Sequence, residues 1–202
     1  MPTKIFLLSP ARCDGRRAKA LLNPRADFPL AVGLRSRAGA TLGDVFAFLS
    51  GLYFRGKLTY ARACAAENSA AIRVITTNRG LLPPEERVGV SDLERFAEVD
   101  LSEAGDDFRD PLLRDALALA GDSPFDAPAV LLGSIATNKY VAPLADVFGD
   151  RLVFPRDFVG RGDMSRGGLM LRYARDRREL DYIPVLTAVR HGRRPPKLEP
   201  LR

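Results

Sequence analysis

The sequence is poor in the residues that most often carry metal and redox chemistry. One histidine, His191, stands in 202 residues. That excludes His-rich zinc sites. The two cysteines, Cys13 and Cys64, have neither metal-site spacing nor the number needed for a disulfide framework. Each reads as a small buried hydrophobe. No apolar run approaches the ~18 residues that cross a bilayer. The apolar segment Ile5 to Leu8 is too short for a signal-peptide core. A cytoplasmic protein without a membrane partner is expected. Also missing are a phosphate-binding Gly-x-x-x-x-Gly-Lys-Ser/Thr loop, a Gly-x-Gly-x-x-Gly turn after a strand and a Gly-x-Ser-x-Gly elbow. ATP hydrolysis, dinucleotide redox chemistry and ordinary serine hydrolysis are disfavoured, and neither cofactor nor metal is expected.

What the chain has in excess is arginine. Lysine and arginine total 31 against 25 acidic residues, a net charge of +6. The distribution is bipolar. Residues 1–62 hold eleven basic and three acidic residues. Residues 87–126 hold four basic and eleven acidic, and residues 156–178 hold seven arginines and three aspartates. The planar guanidinium suits phosphates and base edges, so a polyanion such as DNA is the expected partner.

Hydrophobic patterning places four buried strands at Lys4 to Ser9, Ile72 to Thr76, Ala129 to Gly133 and Arg151 to Phe154. Helices are expected at 12–22 and from the N-cap Thr41 onward, with a break between Gly51 and Gly56 and a second helix over 57–66. Residues 77–84 read as loop, and the acidic stretch after them as irregular surface with short helices. Further helices are expected from Pro111, over 139–148 with a kink at Pro143, and over 164–178. Leu180 to Leu186 reads as an edge strand, because Pro184 confines it there. Alternating strands and helices define an α/β protein, a three-layer α/β/α sandwich with a mostly parallel sheet. One domain over 1–189 and a basic, Pro-rich, loosely held tail over 190–202 are expected.

In such sheets ligands bind beyond the carboxyl ends of the strands. Four segments leave those ends, and they hold the candidate residues. The first, Ser9 to Arg17, offers a serine, Asp14, Arg12, Arg16 and Arg17. The second offers Asn78 and Arg79. The third, Ser134 to Lys139, offers Ser134, Asn138 for a base edge and Lys139 for a phosphate. The fourth, residues 154–168, packs Arg156, Asp157, Arg161, Asp163, Ser165 and Arg166 among four glycines. Glycine lets backbone approach a ligand closely, and arginine can grip flanking phosphates. Asp163 reads either as the N-cap of the next helix or, like Asp157 and Asp14, as a carboxylate that orients water or stabilises a cationic sugar. Arg55 and Lys57 stand beside aromatic residues in Leu52 to Lys57, a pattern suited to stacked bases and backbone, or to a core-facing helix.

Three of these segments carry a family resemblance. They are Lys4 to Ser9 with its basic continuation, Leu52-Tyr53-Phe54-Arg55-Gly56-Lys57-Leu58-Thr59-Tyr60-Ala61, and Val74-Ile75-Thr76-Thr77-Asn78-Arg79-Gly80-Leu81-Leu82-Pro83-Pro84-Glu85. Together they resemble the YaaA-like proteins and their relatives over roughly the first ninety residues. The resemblance implies a fold related to uracil-DNA glycosylases and the handling of nucleic acids or nucleobases. Relatives include DNA-binding stress proteins and candidate glycosylases for modified phage DNA. The histidine usual in that superfamily has no match in a strand-end loop here. The leading expectation is an N-glycosylase that removes a modified base from DNA, in phage defence or repair. The alternatives are a non-catalytic DNA-binding stress protein of YaaA type and an enzyme of free nucleotides or nucleosides.

Overall fold

The computed structural model describes residues 3–67, 70–99, 105–136, 138–189 and 192–198. Thr137, His191 and the tail positions 190 and 199–202 lie outside the described residues. The fold is built around two short runs with no polar side chain to expose. Ile5 to Leu8 and Ala129 to Leu132 are fully buried, as expected of strands covered on both faces.

In chain order the first elements are β1 (Lys4–Leu8), α1 (Arg16–Leu22), α2 (Pro29–Arg35), β2 (Ala40–Thr41), α3 (Leu42–Ser50) and α4 (Leu52–Glu67). Next come β3 (Ala70–Ile75), β4 (Leu81–Leu82), β5 (Arg87–Val88), α5 (Val90–Glu98) and α6 (Asp106–Gly121). The last are β6 (Ala129–Leu132), α7 (Val141–Phe148), β7 (Leu152–Pro155), α8 (Asp163–Arg175) and β8 (Tyr182–Pro184), with a 3-10 turn on either side of β7.

Six strands form one mixed, mostly parallel sheet in the order β4-β3-β1-β6-β7-β8. β3, β1, β6 and β7 are mutually parallel, and Leu7 pairs with both Arg73 and Leu131. β4 and β8 close the two edges antiparallel. The connection from β1 to β3 runs one way along the sheet, and those from β3 to β6 and from β6 to β7 run the other way. Right-handed crossovers then place the two sets of helices on opposite faces. In agreement, α4 packs on both α3 and α8, and α6 packs on α7. β2 and β5 pair in a separate two-stranded ladder.

Several sequence expectations are corrected, each for a physical reason. Residues 12–15 are not helical. Arg12 pairs with Asp14 at 2.5 Å and holds a loop, so α1 starts only at Arg16. α2, begun by Pro29 at its first position, was missed because the run is short. Thr41 caps α3 through the Asp44 amide as expected, and α3 ends at Gly51. Gly56, however, does not break α4, because α8 packs across it. The loop reading of 77–84 missed β4, whose two residues pair with the end of β3. α6 begins at Asp106, not at Pro111. Two aspartates in its first turn favour the helix dipole, and burial of Phe108 and Leu112 outweighs the hydrogen bond that Pro111 removes. Pro143 lies in the first turn of α7, where its missing N–H costs nothing. Gly162, not Asp163, is the N-cap of α8. Residues 192–198 lie beside the loop before α8, where Arg161 donates to the Pro196 carbonyl at 3.4 Å.

Candidate functional site

The strand order β3-β1-β6-β7, in terms of succession second-first-third-fourth, is that of a doubly wound sheet. Its switch point lies between β1 and β6. A cleft of about 460 Å³ opens there, beyond the carboxyl end of β1. Ser9, Arg12 and Asp14 form its β1 side, Lys139 and Tyr140 the α7 side, and Glu98 part of the α5 side.

The floor of the cleft is set by close backbone approach. A Cβ on Gly133, the residue after β6, would lie 2.8 Å from the Ser9 Cβ and 3.3 Å from the Tyr140 hydroxyl. Glycine at this position lets the two strand ends carry their polar groups side by side. Tyr140 donates to the Ser134 carbonyl at 3.1 Å, and its hydroxyl also faces Ser9.

Behind Ser9 stands Lys57. Its side chain is 1% exposed. Nζ lies 2.6 Å from Ser9 Oγ and 3.0 Å from the Ser9 carbonyl oxygen. The Tyr53 ring centroid is 4.0 Å away, in cation–π position. No carboxylate lies within ion-pair distance of Lys57 among the described residues. Burial pushes its amine down to about 7, Asp163 pulls it back up and Arg166 pushes it down further. The Tyr53 hydroxyl is buried beside Arg166 without a well-formed hydrogen bond, and burial raises its pKa.

Crossing of α4 and α8 brings in that second layer. A Cβ on Gly56 would meet the Gly167 carbonyl oxygen at 2.7 Å, and one on Gly167 would meet the Leu52 oxygen at 2.7 Å. With glycine at both contacts the helices touch backbone to backbone. Arg166 then sits against Phe158, donating to its carbonyl at 3.1 Å, and faces Asp163 at 3.7 Å. Asp163 itself remains 67% exposed.

Of the residues singled out from sequence, Arg12, Asp14 and Lys139 border the cleft. Hydrogen bonding to Arg12 holds Asp14 below the usual carboxylate range, so it stays ionised. Ser134 caps the Ala136 amide at 3.2 Å, and Asn138 is exposed at the same turn. Arg16 is exposed on α1 and Arg55 on α4. Most of the others have structural partners. Arg17 donates to the Phe48 carbonyl at 3.0 Å and ties α1 to α3. Asn78 donates to the Arg95 carbonyl, and Arg79 bridges Glu86 at 2.8 Å and Asp92 at 3.4 Å. Arg156 and Asp157 are exposed on the 3-10 turn after β7. Arg161 is held by the Asp157 carbonyl and by Ser165. Lys57 is buried, so no surface phosphate reaches it. Sequence reasoning missed Ser9 as the pivot and Tyr53 and Tyr140 as its surround. One signal was available: Tyr53, Lys57, Tyr60 and Cys64 follow helical spacing along one buried stripe of α4, and a lysine in such a stripe is unusual.

The fold and cleft thus define a doubly wound α/β protein with a polar site at its switch point. The chain matches no family model, no curated protein and no solved structure. No helix among the described residues is long and apolar enough to cross a membrane.

Proposed function

We propose that the protein is an N-glycosylase that removes a modified base from DNA, with a fold of the uracil-DNA-glycosylase type. The observation that carries this reading is the pairing, in one strand-end cleft, of an ionised carboxylate with a row of hydroxyls. Cleavage of an N-glycosyl bond develops positive charge on the sugar and negative charge on the base. Asp14 at the cleft border serves the first need, stabilising the cation or orienting water. Ser9 on the floor serves the second by donating to the base, and Tyr140, held by its own bond to the Ser134 carbonyl, stands beside it. A cleft of about 460 Å³ falls within the range of small-ligand pockets, so a single flipped nucleoside fits the scale. Flipping costs a few kcal/mol, which contacts from Arg12, Arg16 and Lys139 offset. Glu98 on the opposite wall repels phosphate and confines the DNA backbone to the β1–α7 side. Asp14 takes precedence over Asp163 and Asp157, because it borders the cleft.

The test is base release. Genomic DNAs with different modified bases, beside unmodified DNA, are incubated with the protein. Released bases are read by mass spectrometry and abasic sites by alkaline strand cleavage. Release from one DNA is expected, with Asp14→Asn lowering the rate by about a hundredfold or more and Asp157→Asn leaving it unchanged. Salt-sensitive binding without release would replace this reading with a DNA-binding protein. Turnover of free nucleosides alone would replace it with a nucleoside enzyme.

A further inference from the structure

Lys57 is an expensive residue for the fold to keep. A buried amine without a carboxylate partner costs several kcal/mol, and a methionine would fill the same space. Its partners explain what it can do. As an ammonium, Nζ donates to the Ser9 carbonyl and to Ser9 Oγ and directs its third proton at the Tyr53 ring. As a neutral amine it still donates to the carbonyl, and its lone pair accepts the Ser9 Oγ proton. The same geometry serves both states, so a proton can pass between Nζ and Oγ without movement of either side chain. Ser9 borders the cleft and Lys57 does not. Ser9 is therefore the contact and Lys57 the reservoir behind it.

We propose that Ser9 and Lys57 form a proton relay to the departing base, Ser9 Oγ meeting the leaving nitrogen and Lys57 resupplying Ser9. The proposal rests on the N-glycosylase reading of this cleft. As the C1′–N bond breaks, its electron pair passes to the base. The base takes the Ser9 hydroxyl proton, and Oγ takes one from the Lys57 ammonium. Water adds to C1′ and loses its extra proton through Asp14 to solvent. Solvent then reprotonates Lys57, so one water is consumed and the free base and the sugar hydroxyl are the products. In this role Ser9 is the catalytic residue and Lys57 a positioning residue that acts through it.

The groups facing the pair fit the role. Tyr53 on α4 and Tyr140 before α7 are both pushed up by burial and stay neutral. From α8, Asp163 and Arg166 present opposite charges. Lys57, brought down to about 7, is the member of this set that changes charge near neutral pH, where a general acid is most effective.

The relay is tested by the pH dependence of base release, on the DNA that the wild type cleaves, for wild type, Lys57→Met, Ser9→Ala and Ser9→Thr. The wild-type rate is expected to fall about tenfold per unit above pH ~7. Lys57→Met and Ser9→Ala are expected to be slower by about a hundredfold at pH 6.5 and to lose that limb, while Ser9→Thr, which keeps a hydroxyl, retains it. Thermal melting checks that each variant folds. Should Lys57→Met fail to fold, Ser9→Ala carries the test, because it removes one oxygen at a strand end. Base release with the same limb in wild type and Ser9→Ala overturns the relay and leaves the N-glycosylase reading standing. No release from any DNA overturns that reading and the relay with it. A Lys57 amine that titrates above pH ~9 by ¹⁵N NMR overturns the relay alone.

Discussion

Replacing Lys57 by methionine should change how the protein's stability depends on pH. In the unfolded chain this amine holds its proton to about 10.5, and in the native state only to about 7. Between those values the unfolded state binds more protons, so stability rises with pH. The contribution is fully present above pH ~10.5, is lost as pH falls through the window, and is flat below about 7. The slope is about 1.4 kcal/mol per pH unit. The full window amounts to about 5 kcal/mol. Methionine keeps the volume of the lysine stem and cannot titrate. It leaves the Ser9 carbonyl without its donor, at a cost of about 1–3 kcal/mol that does not vary with pH. Urea unfolding of both proteins at half-unit steps from pH 6 to 9.5 reads the difference. Wild type minus variant should be flat to pH ~7 and then rise by about 3 kcal/mol by pH 9.5. Titrations common to both proteins, such as that of Cys13, which burial pushes up to about 12, cancel in the difference. A constant difference across the range would refute the claim that burial has displaced this amine.

The α4–α8 crossing supplies a paired prediction. Gly167→Ala drives a methyl against the Leu52 carbonyl and should cost about 1–3 kcal/mol in urea unfolding, whereas Gly168→Ala, one residue on, meets only side-chain ends, Arg172 at 3.4 Å and Leu198 at 3.6 Å, and should gain up to about 1 kcal/mol. Equal effects would mean that backbone contact does not set this interface. Arg79, bridging Glu86 and Asp92, is expected to act through the fold: Arg79→Ala should lose about 1 kcal/mol of stability and leave the salt dependence of DNA binding unchanged. Lys139→Ala should instead lower that log–log slope by about 0.9 without affecting stability.

Much of the sheet was legible because its interior strands are mostly apolar. Four runs ending at Ser9, Thr76, Gly133 and Pro155 announce themselves against polar surroundings. The edges were harder. β4 is two residues long, and its pairing depends on where β3 ends. At Gly56 and Pro111 propensity pointed to a boundary and packing overrode it, since α8 needs a bare backbone at the first and the core claims Phe108 beside the second. The rim of the cleft was partly legible: Asp14, Arg12 and Lys139 stand in strand-end loops, where polar residues draw attention. The floor was not. Ser9 and Lys57 are 48 positions apart, and only the tertiary fold brings the two together. Arginine counts misled in a different way. Arg17, Arg79 and Arg161 look alike in sequence as free cations, yet each is spent on a backbone carbonyl or a carboxylate.

The central position of β1 has a consequence for how the chain folds. This strand is the first to be made, yet its two neighbours are Ala70–Ile75 and Ala129–Leu132. Its four buried residues have no lasting partner until about sixty residues later, and their second flank stays open for sixty more. Contacts of such long sequence separation slow folding, because loop closure precedes any reward. During that interval an apolar edge is open to other chains. Folding from denaturant is therefore expected to be slow and sensitive to concentration. The same wait governs the cleft, whose floor joins the end of β1 to Gly133 and exists only once the last of these pairings has closed.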